Sequence, residues 1–129
     1  MNTRIKGNIG ENFAAEFLAK NGYKIIRRNY YCRGGEIDII CEDNSHIVFA
    51  EVKTLLNLSG KIKRPAENVT KIKQKRMLFA AQTYIYNEKP EKCPRIDVIE
   101  IYIKYENGVY SLAKEPLHIK NAVIMRNDI

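Results

Sequence analysis

Asp38 and the run Glu51-Val52-Lys53 are the residues whose types and spacing could do chemistry. They stand in two apolar, β-rich segments, Glu36-Ile-Asp-Ile-Ile-Cys41 and His46-Ile-Val-Phe-Ala-Glu-Val-Lys53. Between these lies Glu42-Asp-Asn-Ser45, a run of turn formers, so the pair reads as a β-hairpin. Side chains alternate faces along a strand. Glu36, Asp38 and Ile40 therefore share one face, and Ile47, Phe49, Glu51 and Lys53 share one face of the partner. A turn of two or four residues puts both sets on the same side of the sheet, whereas a three-residue turn shifts the parity and parts them. With the even turn, Asp38 and Glu51 are near-neighbours and Lys53 lies one step further along.

Carboxylates facing inward from apolar strands are costly to bury, and two side by side repel. A divalent cation relieves both costs. Mg²⁺, or Mn²⁺ in its place, takes oxygen ligands, commonly one or two carboxylates completed by water and substrate phosphate. A lysine beside such an ion can polarise the attacking water or neutralise charge developing on the phosphate. Asp38 and Glu51 as metal ligands, with Lys53, are thus a competent set for phosphodiester hydrolysis. Taken singly, each has a plainer explanation: Glu-x-Lys at a strand end is common, and Asp38 could pair with Lys53 or an arginine. Their co-occurrence on neighbouring strands of an apolar hairpin is what points to chemistry.

The elements that must position these residues are legible from periodicity. Phe13, Ala14, Phe17 and Leu18 recur at helical spacing and predict a helix over about 8–21, with Gly22 as its stop and Glu16–Lys20 as an outer i,i+4 pair. Residues 23–31 are β-rich, and Gly34-Gly35 breaks that strand before the hairpin. Residues 54–64 read as a loop. Pro65-Ala-Glu67 predicts the opening of a second helix running to about Asn87. Met77, Leu78, Ala81, Tyr84 and Ile85 form its apolar stripe, and Lys73 and Gln74 continue that stripe toward the helix start. Residues 95–105 predict a strand, Asn107-Gly108 a hairpin turn, and Val109 to Ala113 the return strand. The tail from Pro116 reads as a short helix or irregular chain. The order α-β-β-β-α-β-β is that of a layered α/β or α+β protein with a mixed sheet.

With 129 residues, the chain is one domain's worth of sequence, read as a single domain over 1–129. No apolar run approaches the length of a membrane span, and the N-terminus lacks the apolar stretch of a signal peptide. The three cysteines, Cys32, Cys41 and Cys93, form no C-x-x-C pair, so neither a disulfide framework nor a zinc site is expected, and a cytoplasmic location is. Net charge is +7. Residues 52–87 hold Lys53, Lys61, Lys63, Arg64, Lys71, Lys73, Lys75 and Arg76 against the single acid Glu67, which accounts for the whole excess. Clustered cations suit a polyanion, most simply nucleic acid, although a solvated lysine-rich face has the same composition.

Asp38…Glu51-Val52-Lys53 resembles the PD-(D/E)XK nuclease signature, with Ile37 standing where the proline would be. The wider pattern resembles the bacterial YraN-like family of small predicted endonucleases, similar to Holliday-junction resolvases. The matching pieces are Gly7-x-x-Gly10-Glu11-x-x-Ala14, Gly22-Tyr23, Arg28-Asn29, Gly35-Glu36-Ile37-Asp38-Ile39-Ile40, Val48-Phe49-Ala50-Glu51-Val52-Lys53-Thr54, Val69-Thr70-x-x-Lys73 and Arg95-Ile96-Asp97-Val98. Leu55 stands where that family has arginine.

The resemblance implies a restriction-endonuclease-like fold, with a central mixed β-sheet flanked by helices. It implies that Asp38 and Glu51 hold Mg²⁺ or Mn²⁺, that Lys53 serves the water or the scissile phosphate, and that Glu11 is an extra acid at the site. A first-turn acid meeting the helix dipole would also account for Glu11. The expected activity is metal-dependent cleavage of DNA, branched or otherwise structured. The expected DNA contacts are Lys61, Lys63, Arg64, Lys71, Lys73, Lys75 and Arg76. A homodimer would suit a two-fold junction. The rival readings are a nucleic-acid-binding protein that keeps the fold without cleaving, and a partner-binding protein whose lysines serve solubility. Glu36 shares the Asp38 face but is equally explained as a solvated acid, and His46 and His118 receive no role.

Overall fold

Helices at Thr3–Lys20 (α1) and Lys71–Glu88 (α2) and strands at Lys24–Cys32 (β1), Gly35–Glu42 (β2), His46–Asn57 (β3), Cys93–Glu106 (β4), Val109–Leu112 (β5) and Leu117–Val123 (β6) make up the computed structural model, which describes residues 3–57 and 71–123. α1 begins five residues earlier than its apolar spacing predicts. It ends as predicted: Gly22 adopts φ +89°, and the Tyr23 amide donates back to the Leu18 carbonyl at 3.0 Å. The expected start of α2 at Pro65-Ala-Glu67 lies outside the described residues, as do Lys61, Lys63 and Arg64.

The six strands form one mixed sheet. β1–β2 and β2–β3 are antiparallel, and β3–β4 is parallel along twelve residue pairs, His46 to Asn57 against Cys93 to Lys104. Strands buried on both faces read as near-continuous apolar runs, which is why Ile47 to Ala50 and Ile96 to Ile103 carry so few polar residues. Asn107 (φ +52°) and Gly108 (φ +76°) make the two-residue β4–β5 turn expected of that dipeptide. The expected order is corrected at its end. Within the tail from Pro116, the described residues Leu117–Val123 are neither helix nor irregular chain but β6, antiparallel to β4 from Ile96 to Glu100. β5 and β6 share the β4 edge that β3 leaves open, so backbone groups of a buried strand find partners along most of its length.

α1 covers one face of the sheet, through Ala14 and Leu18 against Ile39, Val48, Ala50 and Ile99. α2 covers the other, through Met77, Leu78, Ala81 and Tyr84 against Ile40, Ile47, Phe49 and Ile96. The α2 stripe is thus buried as predicted at Met77, Leu78, Ala81 and Tyr84, with Ile85 half-buried at its end.

Two glycines set how closely the helices approach. A Cβ on Gly10 would lie 1.8 Å from Thr54 Oγ1, so α1 rests directly on β3 just beyond Lys53. A Cβ on Gly35 would lie 2.2 Å from the Arg76 carbonyl oxygen, so α2 rests on the β1–β2 turn. That second obstacle is backbone and cannot rotate aside. Gly35→Ala is expected to lift α2 and destabilise the protein by about 2 kcal/mol, in the range of other overpacked cores. A urea titration checks it, and an unchanged midpoint refutes it.

Candidate active site

The β2–β3 ladder runs from Glu42↔Ile47 to Ile39↔Ala50, which leaves four residues, Asp43 to His46, outside the first pair. Asp43 closes this turn by accepting the amides of Ser45 (2.8 Å) and His46 (2.7 Å) on Oδ1. The even loop puts Asp38 and Glu51 in register opposite each other, on the face that α2 covers. Beyond Ala50 the ladder stops, and Asp38 Oδ2 instead accepts the Val52 amide at 2.8 Å. A side chain thus takes a bond that the neighbouring strand would otherwise make, and the two strands part where the carboxylates stand.

Glu51 is nearly sealed, with its side chain 3% exposed. Its Oε1 receives two cations: Lys53 Nζ at 3.0 Å, from its own strand, and Lys73 Nζ, from α2. Lys53 is 15% exposed and Lys73 41%. Burial raises the Asp38 carboxyl first, then the Glu51 charge and a hydrogen bond with that carboxyl, to about 7 against an ordinary 3.8. Burial and the neighbouring Lys73 lower the Lys53 ammonium despite Glu51. Lys73 moves the other way: burial is the largest single influence and opposes its charge, but the bonds to Glu51 and Lys53 and the charges of Glu51 and Asp38 together outweigh it and raise the ammonium. The group is a tight cluster of two acids and two amines in which one acid is held near neutral.

Glu36, Glu51, Ile72, Lys73, Arg76 and Met77 line a cleft of about 330 Å³ beside this cluster. Glu36 therefore reaches the site edge, as strand alternation from Asp38 allows. Among the expected DNA contacts, Arg76 lines the cleft, Lys71 and Lys75 are exposed on α2, and Lys73 is the partner of Glu51. Gln74 is half-buried and Leu55 half-buried. Glu11 is buried at 6% exposure. Its Oε1 accepts from Arg28 Nε (2.7 Å) and Asn29 Nδ2 (3.2 Å), and Asn29 adopts φ +54°. Its charge nonetheless reaches Asp38 and adds to the rise there. These contacts tie together the Glu11 and Arg28-Asn29 pieces of the sequence pattern.

Among the described residues, no group of three or more His, Cys, Asp and Glu side chains is arranged to hold a metal ion. The two-carboxylate site still fits Mg²⁺ or Mn²⁺, because such ions commonly take one or two protein carboxylates and leave the remaining positions to water and phosphate. The donors are hard oxygens, and burial and the Glu51 charge, which raise the Asp38 carboxyl, are the two costs that a divalent ion offsets.

Arg95-Ile96-Asp97 belongs elsewhere. Asp97 is fully buried on the α1 face, where it accepts from Arg95 (Nε 2.9 Å and Nη2 2.8 Å) and the Asn121 amide (2.9 Å) and bonds His118 Nε2 at 2.6 Å. Arg95 also donates to the Tyr23 hydroxyl at 2.8 Å. Burial alone would raise the Asp97 carboxyl, but the bonds from His118, Arg95 and Asn121 overcome it and hold it at about 2. This cluster pins β6 to β4. A depressed carboxyl stabilises the fold above the unfolded value of 3.8, and that stabilisation is lost as pH falls through about 2. Asp97→Asn is expected to cost about 3 kcal/mol at pH 7, with the gap to wild type closing between about pH 4 and pH 2. Thermal melts across that range check this, and a pH-independent gap refutes it.

A mixed α/β sheet with two helices, carrying an acid–lysine cluster at the rim of one cleft, is the class of protein that fold and site define. The chain belongs to the family described as "Uncharacterised protein family UPF0102", whose pattern matches residues 10–101, a span that holds every YraN-like motif residue named above except Gly7. It is 42% identical to a UPF0102 protein of Caldicellulosiruptor saccharolyticus, over 87% of this chain and 94% of the relative. It is 38% identical to one of Clostridioides difficile, over 95% of this chain and 99% of the relative. A UPF0102 protein of Geobacter metallireducens is 44% identical over 74% of this chain and 77% of its own length. No described helix is long and apolar enough to cross a membrane.

Proposed function

We propose that this protein is a cytoplasmic, metal-dependent endonuclease with a restriction-endonuclease-like fold, hydrolysing phosphodiester bonds in branched or otherwise structured DNA. The observation that carries the reading is the convergence of Asp38, Glu51 and Lys53 on one sheet face, at a parting of two strands beside a cleft rimmed by Lys73 and Arg76. A stable fold gains nothing from a carboxylate pair in which one member is held near 7, and such pairs cluster at functional sites. The preference for branched DNA rests on the resemblance to resolvases.

Asp38 and Glu51 would hold Mg²⁺ or Mn²⁺, which when bound supplies Lewis acidity at the phosphate and a more acidic water. Lys53 is placed to donate a hydrogen bond to the attacking water or to the phosphate oxygens. Its lowered affinity for a proton suits it to share that proton as charge develops. Arg76 and Lys73 at the rim are placed to take the flanking phosphates, with Lys71 and Lys75 beyond them on α2.

The deciding assay offers branched, single-stranded and linear duplex DNA, each with Mg²⁺ and with Mn²⁺. Cleavage of branched DNA above the others is expected. Binding with no cleavage of any of them replaces the enzyme with a nucleic-acid-binding protein of the same fold. Lys61→Ala, Lys63→Ala and Arg64→Ala together should weaken binding and flatten its salt dependence by up to about three units, at about 0.9 for each phosphate no longer neutralised. An unchanged slope removes this segment from the contact surface.

A further inference from the structure

Glu51 Oε1 is shared by two ammonium groups that differ in freedom. Lys53 is fixed by its strand, two residues from Glu51 and 15% exposed. Lys73 reaches across from the first described turn of α2, is 41% exposed and opens onto the cleft. A lysine head on a four-carbon stem can leave one oxygen for another a few ångströms away without moving its helix. A divalent ion held between Asp38 and Glu51 draws on the carboxylate charge that Lys73 now neutralises, and two cations on one carboxylate repel each other. With that ion in place the cluster has more positive charge than its two carboxylates can balance. The group that restores balance is an anion in the cleft, and a phosphodiester is such an anion.

We infer that Lys73 competes with the divalent ion for Glu51 and, once displaced, serves the phosphate of the nucleic acid, so that metal and DNA bind cooperatively through this one side chain. The inference rests on the nuclease reading and specifies how its site is loaded. DNA that draws Lys73 into the cleft frees Glu51 for the ion, and the ion that displaces Lys73 readies it for DNA. By linkage, each ligand raises the affinity of the other by the same factor. Lys73 is then a substrate-binding residue whose resting partner is a metal ligand. Idle sites are held closed to stray cations, and a site already facing a phosphate backbone binds its metal best.

Mn²⁺ binding by isothermal titration calorimetry tests this on the full chain, in wild type, Lys73→Gln and Lys73→Arg. Each is titrated alone and with a hydrolysis-resistant phosphorothioate four-way junction. Without DNA, Lys73→Gln should bind Mn²⁺ at least about fivefold tighter than wild type, the lower end of typical couplings between sites. Lys73→Arg, which keeps the charge, should stay within about twofold of wild type. DNA should tighten Mn²⁺ binding in wild type by a comparable factor and change it little in Lys73→Gln. Far-UV circular dichroism checks the fold of each variant, and Lys73→Ala carries the same expectation should the glutamine variant misfold. Equal Mn²⁺ affinity in wild type and Lys73→Gln, or equal tightening by DNA in both, overturns the inference and leaves the nuclease reading standing. No Mn²⁺ binding in any of them overturns that reading, and the inference with it.

Discussion

Lys53→Met is expected to abolish metal-dependent cleavage, by a factor of about a hundred or more, while DNA affinity stays within about threefold. The reasons are geometric. Lys53 Nζ stands 3.0 Å from Glu51 Oε1 and is only 15% exposed, so it points at the proposed metal ligand and away from solvent. One phosphate contact among many contributes little to binding, whereas a group that meets the reacting phosphate acts mainly on the transition state. The loss should therefore fall on the single-turnover rate at saturating protein and leave the binding isotherm nearly in place. The fold should survive, because Lys73 still neutralises Glu51 and methionine refills the space of the stem. Melting temperature reports that directly. A variant that cuts as fast as wild type on branched, single-stranded and linear DNA removes Lys53 from the chemistry. One that loses binding and cleavage in equal measure makes Lys53 a simple phosphate contact.

The hairpin carried its own geometry in the sequence because strand parity is a local property. Once the loop between Glu42 and Ile47 holds four residues, Asp38 must face Glu51. The same locality made Asn107-Gly108 readable, since both residues take positive φ. Lys73 was legible as inward-facing from helical spacing alone, but its partner was not, because nothing in a helix period says which strand the helix crosses. The close approach at Gly35 explains the crossing: only a residue without a Cβ lets the Arg76 carbonyl come so near. β6 escaped prediction for a related reason. Leu117-His-Ile-Lys-Asn-Ala-Val123 has little β-branched content, and what holds it as a strand is the open edge of β4 together with the Asp97 bonds to His118 and Asn121. His118 had no sequence neighbour at ligand spacing, and its partner Asp97 lies 21 residues away. Glu11 was readable as an acid near the site but not as one held by Arg28 and Asn29, a contact made between a helix and an edge strand.

Asp38→Asn should make the protein more stable at pH 8 while depriving it of metal. Burial and the adjacent Glu51 raise the Asp38 carboxyl from 3.8 to about 7. Between those values the folded protein keeps a proton that the unfolded chain has released. Stability therefore falls as pH rises through this window, and the full penalty is present above about pH 7. The rise corresponds to at most about 4 kcal/mol, and solvent at the strand gap trims that to about 2 kcal/mol. Asparagine carries no such penalty, and its carbonyl can still accept the Val52 amide. The variant should match wild type near pH 4 and melt several degrees higher at pH 8. Mn²⁺ should reverse the order. It offsets the charge penalty only where both carboxylates remain, so it should raise the wild-type melting temperature at pH 8 and leave the variant unmoved. Glu51→Gln should likewise lose the response to Mn²⁺ but gain no comparable stability, because Glu51 has Lys53 and Lys73 as counter-charges and their pairing is lost with it. Melting curves at pH 4 and pH 8, with and without Mn²⁺, separate these outcomes. An Asp38→Asn protein less stable than wild type at pH 8 would show that its carboxylate supports the fold, and an equal Mn²⁺ response in both would place the ion elsewhere.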